Sequence, residues 1–249
     1  MNIFSVTFYG ITIAPTYYGL MYAISFIIGY FILEKRKIIG KKYLEDLFLY
    51  IFLGVVLGGR IGYIFFYNLG NYLSNPVDII KFWEGGMSFH GGVIGVILAM
   101  YFFSKKYKQS FLMIADQITL VLPIGLGFGR IGNYLNKELL GYSDYNGLFA
   151  VYKDGIGYFP SPLLESFLEG LLLFLFLNYF YLKGNLKRGQ IASLFLILYS
   201  IFRLLVEIFF REPDSQIGYI LGYFTMGEIL SLPMFIIGII LFLRFKNEK

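Results

Sequence analysis

The sequence predicts an all-α polytopic membrane protein of seven transmembrane helices, with its N-terminus outside and its C-terminus cytoplasmic. Three observations carry that expectation. First, of 249 residues 57% are hydrophobic and only 15% charged, with a mean hydropathy of +0.68. Globular chains carry roughly 25% charged residues, and this much apolar surface needs lipid around it. Second, apolar runs of spanning length recur along the whole chain. Third, the basic residues collect on alternate connections, the pattern that orients a membrane protein. These features exclude a water-soluble enzyme, a disordered chain and a secreted disulfide scaffold. The absence of cysteine also removes disulfides, thiolate metal sites and a cysteine nucleophile from this chain.

The apolar runs centre on 17–33, 47–67, 89–103, 111–131, 163–182, 191–210 and 224–245, against the about 17–25 residues that a crossing requires. The third is the shortest. Lys35, Arg36, Lys37, Lys41 and Lys42 follow the first run, and Lys105, Lys106 and Lys108 follow the third. Lys183, Lys187 and Arg188 follow the fifth, and Arg244, Lys246 and Lys249 close the chain. These fourteen of the twenty-one basic residues lie on one side, the cytoplasmic one, so the net charge of +5 reports topology and no nucleic-acid partner is expected. No basic region precedes the first run, so it is expected to stay in the mature protein rather than to be cleaved as a signal peptide.

The connections on the other side are 68–87, 132–162 and 211–223. A single membrane-embedded domain over 1–249 is expected, with 132–162 as a small external head between the fourth and fifth spans. Ser161-Pro162 reads as a helix cap followed by proline at the first helical position. Gly59-Arg60-Ile61-Gly62 recurs as Gly129-Arg130-Ile131-Gly132, too short a match to indicate duplication.

Seven cations lie outside the cytoplasmic connections: Arg60, Lys81, Arg130, Lys137, Lys153, Arg203 and Arg211. Charges within a span cost at least about 2.5–3.5 kcal/mol on insertion scales, so they usually face a polar interior. At roughly 1.5 Å per residue, Arg203, thirteen residues after Gln190, lies on the order of 20 Å from the inner face. Arg60 and Arg130 close outward-going spans, while Tyr18, His90, Glu165 and Glu169 open inward-going ones. The intramembrane polar groups therefore converge on one depth, in the outer leaflet. Arg203 and Glu207 stand at i,i+4 and either neutralise each other or serve a site, with Tyr199 on the same stripe. Arg60 reads as a snorkelling or glycine-packed structural charge, Asp116 as an interfacial or bundle-packing group, and Lys81, Lys153 and Arg211 as solvated. Glu228 is left open.

His90 is the only histidine and sits in Ser88-Phe89-His90-Gly91-Gly92, where the glycines admit a backbone or a ligand at close range. One histidine cannot build a multi-histidine metal site, but its reference pKa near neutrality suits a general base. The densest polar stretch is Gly129-Arg130-Ile131-Gly132-Asn133-Tyr134-Leu135-Asn136-Lys137-Glu138-Leu139-Leu140-Gly141. If the helix continues, Arg130 and Asn133 share a face, and a guanidinium beside an amide suits a phosphate oxyanion.

On these residues the chain resembles the prolipoprotein diacylglyceryl transferases, integral-membrane enzymes of bacterial lipoprotein maturation. The resemblance runs through Tyr17-Tyr18-Gly19-Leu20, Gly58-Gly59-Arg60-Ile61-Gly62-Tyr63, His90-Gly91-Gly92, the stretch 129–141 and the stretch 199–214. Tyr134 departs from the family, which commonly has Phe there; ring size is kept. The resemblance implies a transferase of the bacterial inner membrane that moves the diacylglyceryl group of phosphatidylglycerol to the lipobox cysteine of a preprolipoprotein signal peptide, forming a thioether and releasing glycerol 1-phosphate. It implies no cofactor and no metal.

The residue types fit that chemistry. A thiol of reference pKa about 8.5 must ionise to attack carbon, and a departing phosphate needs cationic donors. On this reading Arg130 and Arg203 hold the phosphate and Asn133 orients it. His90 is the base for the substrate thiol or else orients the glycerol headgroup. Glu138 and Glu207 fix the arginines or a lysine, Tyr18 and Tyr199 supply hydroxyl contacts, and Gly141 permits the turn into the head. The rival readings are an outer-leaflet anion or phospholipid transporter and a lipid-sensing membrane protein. Against transport, the polar residues do not continue to the inner side as a permeation path requires.

Overall fold

The computed structural model describes residues 6–8, 11–13, 16–67, 69–81, 85–211, 220 and 223–247. The stretch 212–214 of the resemblance and most of the 211–223 connection lie outside them. The chain is mainly helical, with α1 (Tyr17–Arg36), α2 (Lys41–Tyr67), α3 (Leu69–Ser74), α4 (Phe89–Tyr107), α5 (Phe111–Leu135), α6 (Ser161–Glu165), α7 (Leu173–Leu182), α8 (Gln190–Phe210) and α9 (Met226–Asn247). Two antiparallel hairpins interrupt the all-α pattern: β1 (Val6–Phe8) with β2 (Ile11–Ile13), and β3 (Val151–Lys153) with β4 (Ile156–Tyr158). Six helical segments among the described residues are long and apolar enough to cross a bilayer, so this is a multi-pass membrane protein. The expected third span is α4. It has 19 residues, but His90-Gly91-Gly92 opens it and Ser104-Lys105-Lys106 closes it, which leaves its apolar stretch short.

The chain divides into two compact units, residues 30–115 and residues 1–29 with 116–249. In the first, α2 and α4 lie against each other along a rail of small residues. Gly54, Gly58 and Gly62 of α2 face Gly91, Gly95 and Ala99 of α4. A methyl group at Gly54 would stand 2.6 Å from the Gly95 carbonyl oxygen, one at Gly58 2.8 Å from the Gly95 Cα, and one at Gly62 2.7 Å from the Gly91 Cα. Spacing by four residues keeps all three on one face, the small-xxx-small arrangement of membrane helix pairs, where backbone proximity replaces a hydrophobic driving force. At the far end of α4, Lys108 in the left-handed region (φ 53°) donates its N–H to the Ser104 carbonyl and stops the helix.

Arg60, on α2, is 2% exposed and binds backbone. Its Nε donates to the Ile79 carbonyl at 3.0 Å, Nη2 to Asp78 O at 2.5 Å, and Nη1 to Gly85 O at 2.5 Å and Gly86 O at 3.3 Å. Its guanidinium also lies 5.2 Å from the Tyr72 ring centroid. It is a structural charge that gathers the connection after α3. Lys81 pairs with Asp78 at 2.6 Å.

In the second unit α5, α7 and α8 meet in a core of Leu120, Leu173, Leu177, Ile191 and Phe195. The helix from α6 to α7 is continuous but widens into a π-helix over Ser166–Leu172. Opposite it, Gly127 of α5 and Gly170 touch through backbone: a methyl at Gly170 would stand 2.6 Å from the Gly127 Cα. Ser166 Oγ donates to the Gly127 carbonyl at 3.0 Å. Asp116 does pack the bundle, its carboxylate accepting from Gly189 N at 2.6 Å and Ala192 N at 2.9 Å and so capping α8. Glu228 resolves as half of a capping box on α9, accepting from Thr225 N at 2.8 Å while Thr225 Oγ1 accepts from Glu228 N at 3.2 Å.

Candidate phosphate site

Three helices of the second unit deliver charge to one place. The contact of Gly127 with Gly170 sets α5 close to the π-helix, and one turn further along α5 Arg130 meets Glu169, the neighbour of Gly170. Arg130 Nε and Nη2 donate to Glu169 Oε2 at 3.3 and 3.2 Å, and Nε lies 3.0 Å from Glu165 Oε2. From α8, Arg203 Nη1 donates to Glu165 Oε1 at 2.5 Å, and Nη2 lies 3.0 Å from Glu207 Oε2. Arg211, the residue after α8, places Nη1 3.4 Å from Glu165 Oε1 and 3.7 Å from Glu207 Oε2. Glu165 and Glu169 are wholly buried. The result is three arginines against three glutamates in a low-dielectric setting, where removing any partner strands a charge.

The two oxygens of the Glu165 carboxylate are shared between Arg130 and Arg203, so guanidinium groups from two separate helices stand within reach of a single small oxyanion. Gly227 completes the wall: a methyl there would come 2.5 Å from the Glu207 Cδ, so its hydrogen lets the start of α9 close over that carboxylate.

A second polar chain lies along the end of α5. Asn133 Nδ2 donates to the Tyr18 hydroxyl, which donates to Glu138 Oε2 at 2.9 Å. Beyond Leu135 the backbone turns through Lys137 and Leu139, both with positive φ, and Lys137 Nζ donates to the Tyr152 carbonyl at 3.0 Å. Gly141 N donates to Phe159 O at 2.8 Å, and a methyl on Gly141 would stand 3.0 Å from the Phe159 ring. Gly141 thus serves a close approach, not a left-handed turn. The ring of Phe159 stacks on Tyr142 at 5.1 Å and on Phe210 at 5.2 Å, tying the head to the end of α8.

Several sequence expectations change. Arg211 is not solvated; its side chain is 8% exposed, and burial together with the neighbouring Arg203 pulls its guanidinium below the usual range, though an arginine stays charged. Glu138 accepts from Tyr18, and Glu207 pairs with Arg203. Arg130 and Asn133 do share the helix, but they engage different partners. Tyr199 stacks on Phe195 with centroids 5.6 Å apart. Ser161 is the first helical residue and donates to the Leu139 carbonyl at 3.0 Å instead of capping.

His90 belongs to the first unit. There it is exposed in the first turn of α4, edge-on to Phe89 at 5.7 Å, with Ser88 capping the helix by accepting from Gly91 N at 3.3 Å. Glu165, Glu169 and Arg211 are the charged residues of the cluster that sequence reasoning did not assign. The available signal was the acidic pair at i,i+4 opening an apolar span. Among the described residues no group of three or more His, Asp or Glu is disposed to hold a metal ion.

Comparison with known proteins adds an independent line. The family model described as prolipoprotein diacylglyceryl transferase matches residues 5–244. A phosphatidylglycerol--prolipoprotein diacylglyceryl transferase of Rickettsia bellii is 46% identical over 93% of this chain and 91% of its own. Proteins of the same name from Teredinibacter turnerae and Buchnera aphidicola are 47% and 44% identical, covering 97% and 96% of this chain and 88% and 95% of theirs.

Proposed function

The chain belongs to the prolipoprotein diacylglyceryl transferase family, and we propose that it transfers the sn-1,2-diacylglyceryl group of phosphatidylglycerol to the lipobox cysteine of preprolipoproteins. The observation that carries this reading at the level of the site is the shared grip of Arg130 and Arg203 on one carboxylate. A phosphate offers oxyanions of similar reach to the same two guanidinium groups, and preorganised cations in a water-poor site stabilise charge that develops as a leaving group departs.

The cysteine S–H loses its proton to a base, the sulfur forms a bond to the glyceryl carbon, and the bond between that carbon and the phosphate oxygen breaks. The electron pair leaves on glycerol 1-phosphate, which gains one negative charge. Arg130 and Arg203 hold that phosphate, with Asn133 orienting it and Glu207 fixing Arg203. Tyr18 and Glu138 brace Asn133 through their hydrogen-bonded chain. Tyr199 supplies a hydroxyl contact, Gly141 lets the backbone of the head fold closely on Phe159, and His90 is the base for the thiol or else orients the glycerol headgroup.

In this reading α4 is the seventh crossing, the N-terminus lies outside and the C-terminus in the cytoplasm, and the site faces the outer leaflet of the bacterial inner membrane. The placement of fourteen basic residues on one side supports that orientation. Phosphatidylglycerol labelled in its headgroup tests the reading in vesicles. Release of labelled glycerol phosphate only when a lipobox peptide is present supports the transferase. Movement of intact lipid or anion without release would instead make it a transporter, and binding alone a sensor.

A further inference from the structure

The geometry points to Arg211 as a third phosphate-binding arginine of this site, an assignment that rests on the transferase reading. Arg203 and Arg211 face the same two carboxylates, Glu165 and Glu207, but unequally. Arg203 reaches them at 2.5 and 3.0 Å, Arg211 only at 3.4 and 3.7 Å. A guanidinium carries five N–H donors. Of those on Arg211, one makes a hydrogen bond, a long one to Glu165, and Nε is buried with no partner among the described residues. The side chain is only 8% exposed, so the Nε–H is out of reach of water.

A buried cation with idle donors is costly, and native structures rarely keep such a group without a use for it. Arg203 and Glu207 stand four residues apart on α8, and Arg211, the extended residue that ends it, still brings its guanidinium to Glu165 and Glu207. The Glu165 Oε1 atom already receives both Arg203 and Arg211, which shows the two forks converging on one oxygen position. An anion arriving there would find Arg203 engaged and Arg211 with donors to give.

The chemistry says when this matters. Phosphatidylglycerol is a phosphodiester with one negative charge, and glycerol 1-phosphate is a monoester approaching two. The added charge appears only as the carbon–oxygen bond breaks. Arg211 therefore contributes little to holding the lipid and much to the departing phosphate, which is the differential binding that raises turnover.

The test uses the full chain in lipid nanodiscs with phosphatidylglycerol and a lipobox peptide, comparing wild type, Arg211→Gln and Arg211→Lys. Turnover, the KM for phosphatidylglycerol and inhibition by added glycerol 1-phosphate are measured, with thermal midpoints alongside. In Arg211→Gln we expect inhibition by glycerol 1-phosphate to weaken, and kcat to fall, by about ten- to a hundred-fold, the range of one charge-assisted hydrogen bond. The KM should stay within about three-fold of wild type, and Arg211→Lys should recover part of both losses. Unchanged product inhibition in Arg211→Gln overturns the assignment, whatever happens to kcat. If Arg211→Gln does not fold, unchanged product inhibition in Arg211→Lys does the same. Wild type that releases no glycerol phosphate would overturn the transferase reading and this assignment with it, whereas active wild type with an indifferent Arg211→Gln overturns the assignment alone.

Discussion

Glu165 faces all three arginines of the cluster, and its neutralisation tests how far they depend on it. Glu165→Gln keeps the size of the side chain and removes one negative charge, leaving three guanidinium groups against two carboxylates. At an effective dielectric of about 20, a unit pair 4 Å apart is worth about 4 kcal/mol. Glu165 lies within 3.0 Å of Arg130, 2.5 Å of Arg203 and 3.4 Å of Arg211. It also offsets the mutual repulsion of those three cations, which the substitution releases. Deleting one partner of a buried ion group typically costs about 3–5 kcal/mol, and we expect a loss in that range. Unfolding in mixed micelles titrated with denaturing detergent measures it. A double-mutant cycle adds the sharper criterion: Arg203→Met combined with Glu165→Gln should cost less than the two singles summed, by about 1–3 kcal/mol. Glu165→Gln within about 0.5 kcal/mol of wild type, or strict additivity, would refute the account of a mutually dependent network.

Other expectations follow from single contacts. Gly54→Ala puts a methyl 2.6 Å from the Gly95 carbonyl; it should destabilise by about 1–3 kcal/mol through overpacking, and a stability equal to wild type would show that α2 and α4 can part at no cost. Thr225→Ala removes half of the capping box on α9 and should cost about 1 kcal/mol, read by the same unfolding titration. If His90 is the base, His90→Gln should lower turnover by about 10²–10⁴ with phosphatidylglycerol binding retained; equal loss of binding would remove it from that role.

What the sequence disclosed, and what it withheld, follows from the kind of information each feature needs. Spans are visible because apolar runs and basic connections are local properties, and Arg130, Arg203 and Glu207 stood out because charge inside such runs demands a reason. Pairing between helices is not local. Glu165 and Glu169 are only an acidic pair at the start of an apolar run until the Gly127–Gly170 contact brings Arg130 against them. Arg211 sits one residue past a helix end, where a solvated charge is the ordinary expectation; only the fold turns its guanidinium to Glu165 and Glu207. The glycine rail of α2 and α4 was legible in principle, since Gly54, Gly58 and Gly62 recur every four residues. The π-helix over 166–172 had no such signal, because one extra residue in a helical turn leaves apolar periodicity nearly intact.

On the transferase reading this chain releases glycerol phosphate from phosphatidylglycerol when a lipobox thiol accepts the lipid, with Arg130 at the phosphate. The direct measurement is release by purified protein given phosphatidylglycerol and a lipobox peptide, or the same peptide with serine for cysteine, comparing wild type with Arg130→Ala. Release that depends on the cysteine and disappears in folded Arg130→Ala is the predicted result. No release from folded wild type under several lipid conditions, or undiminished release by Arg130→Ala, would contradict it.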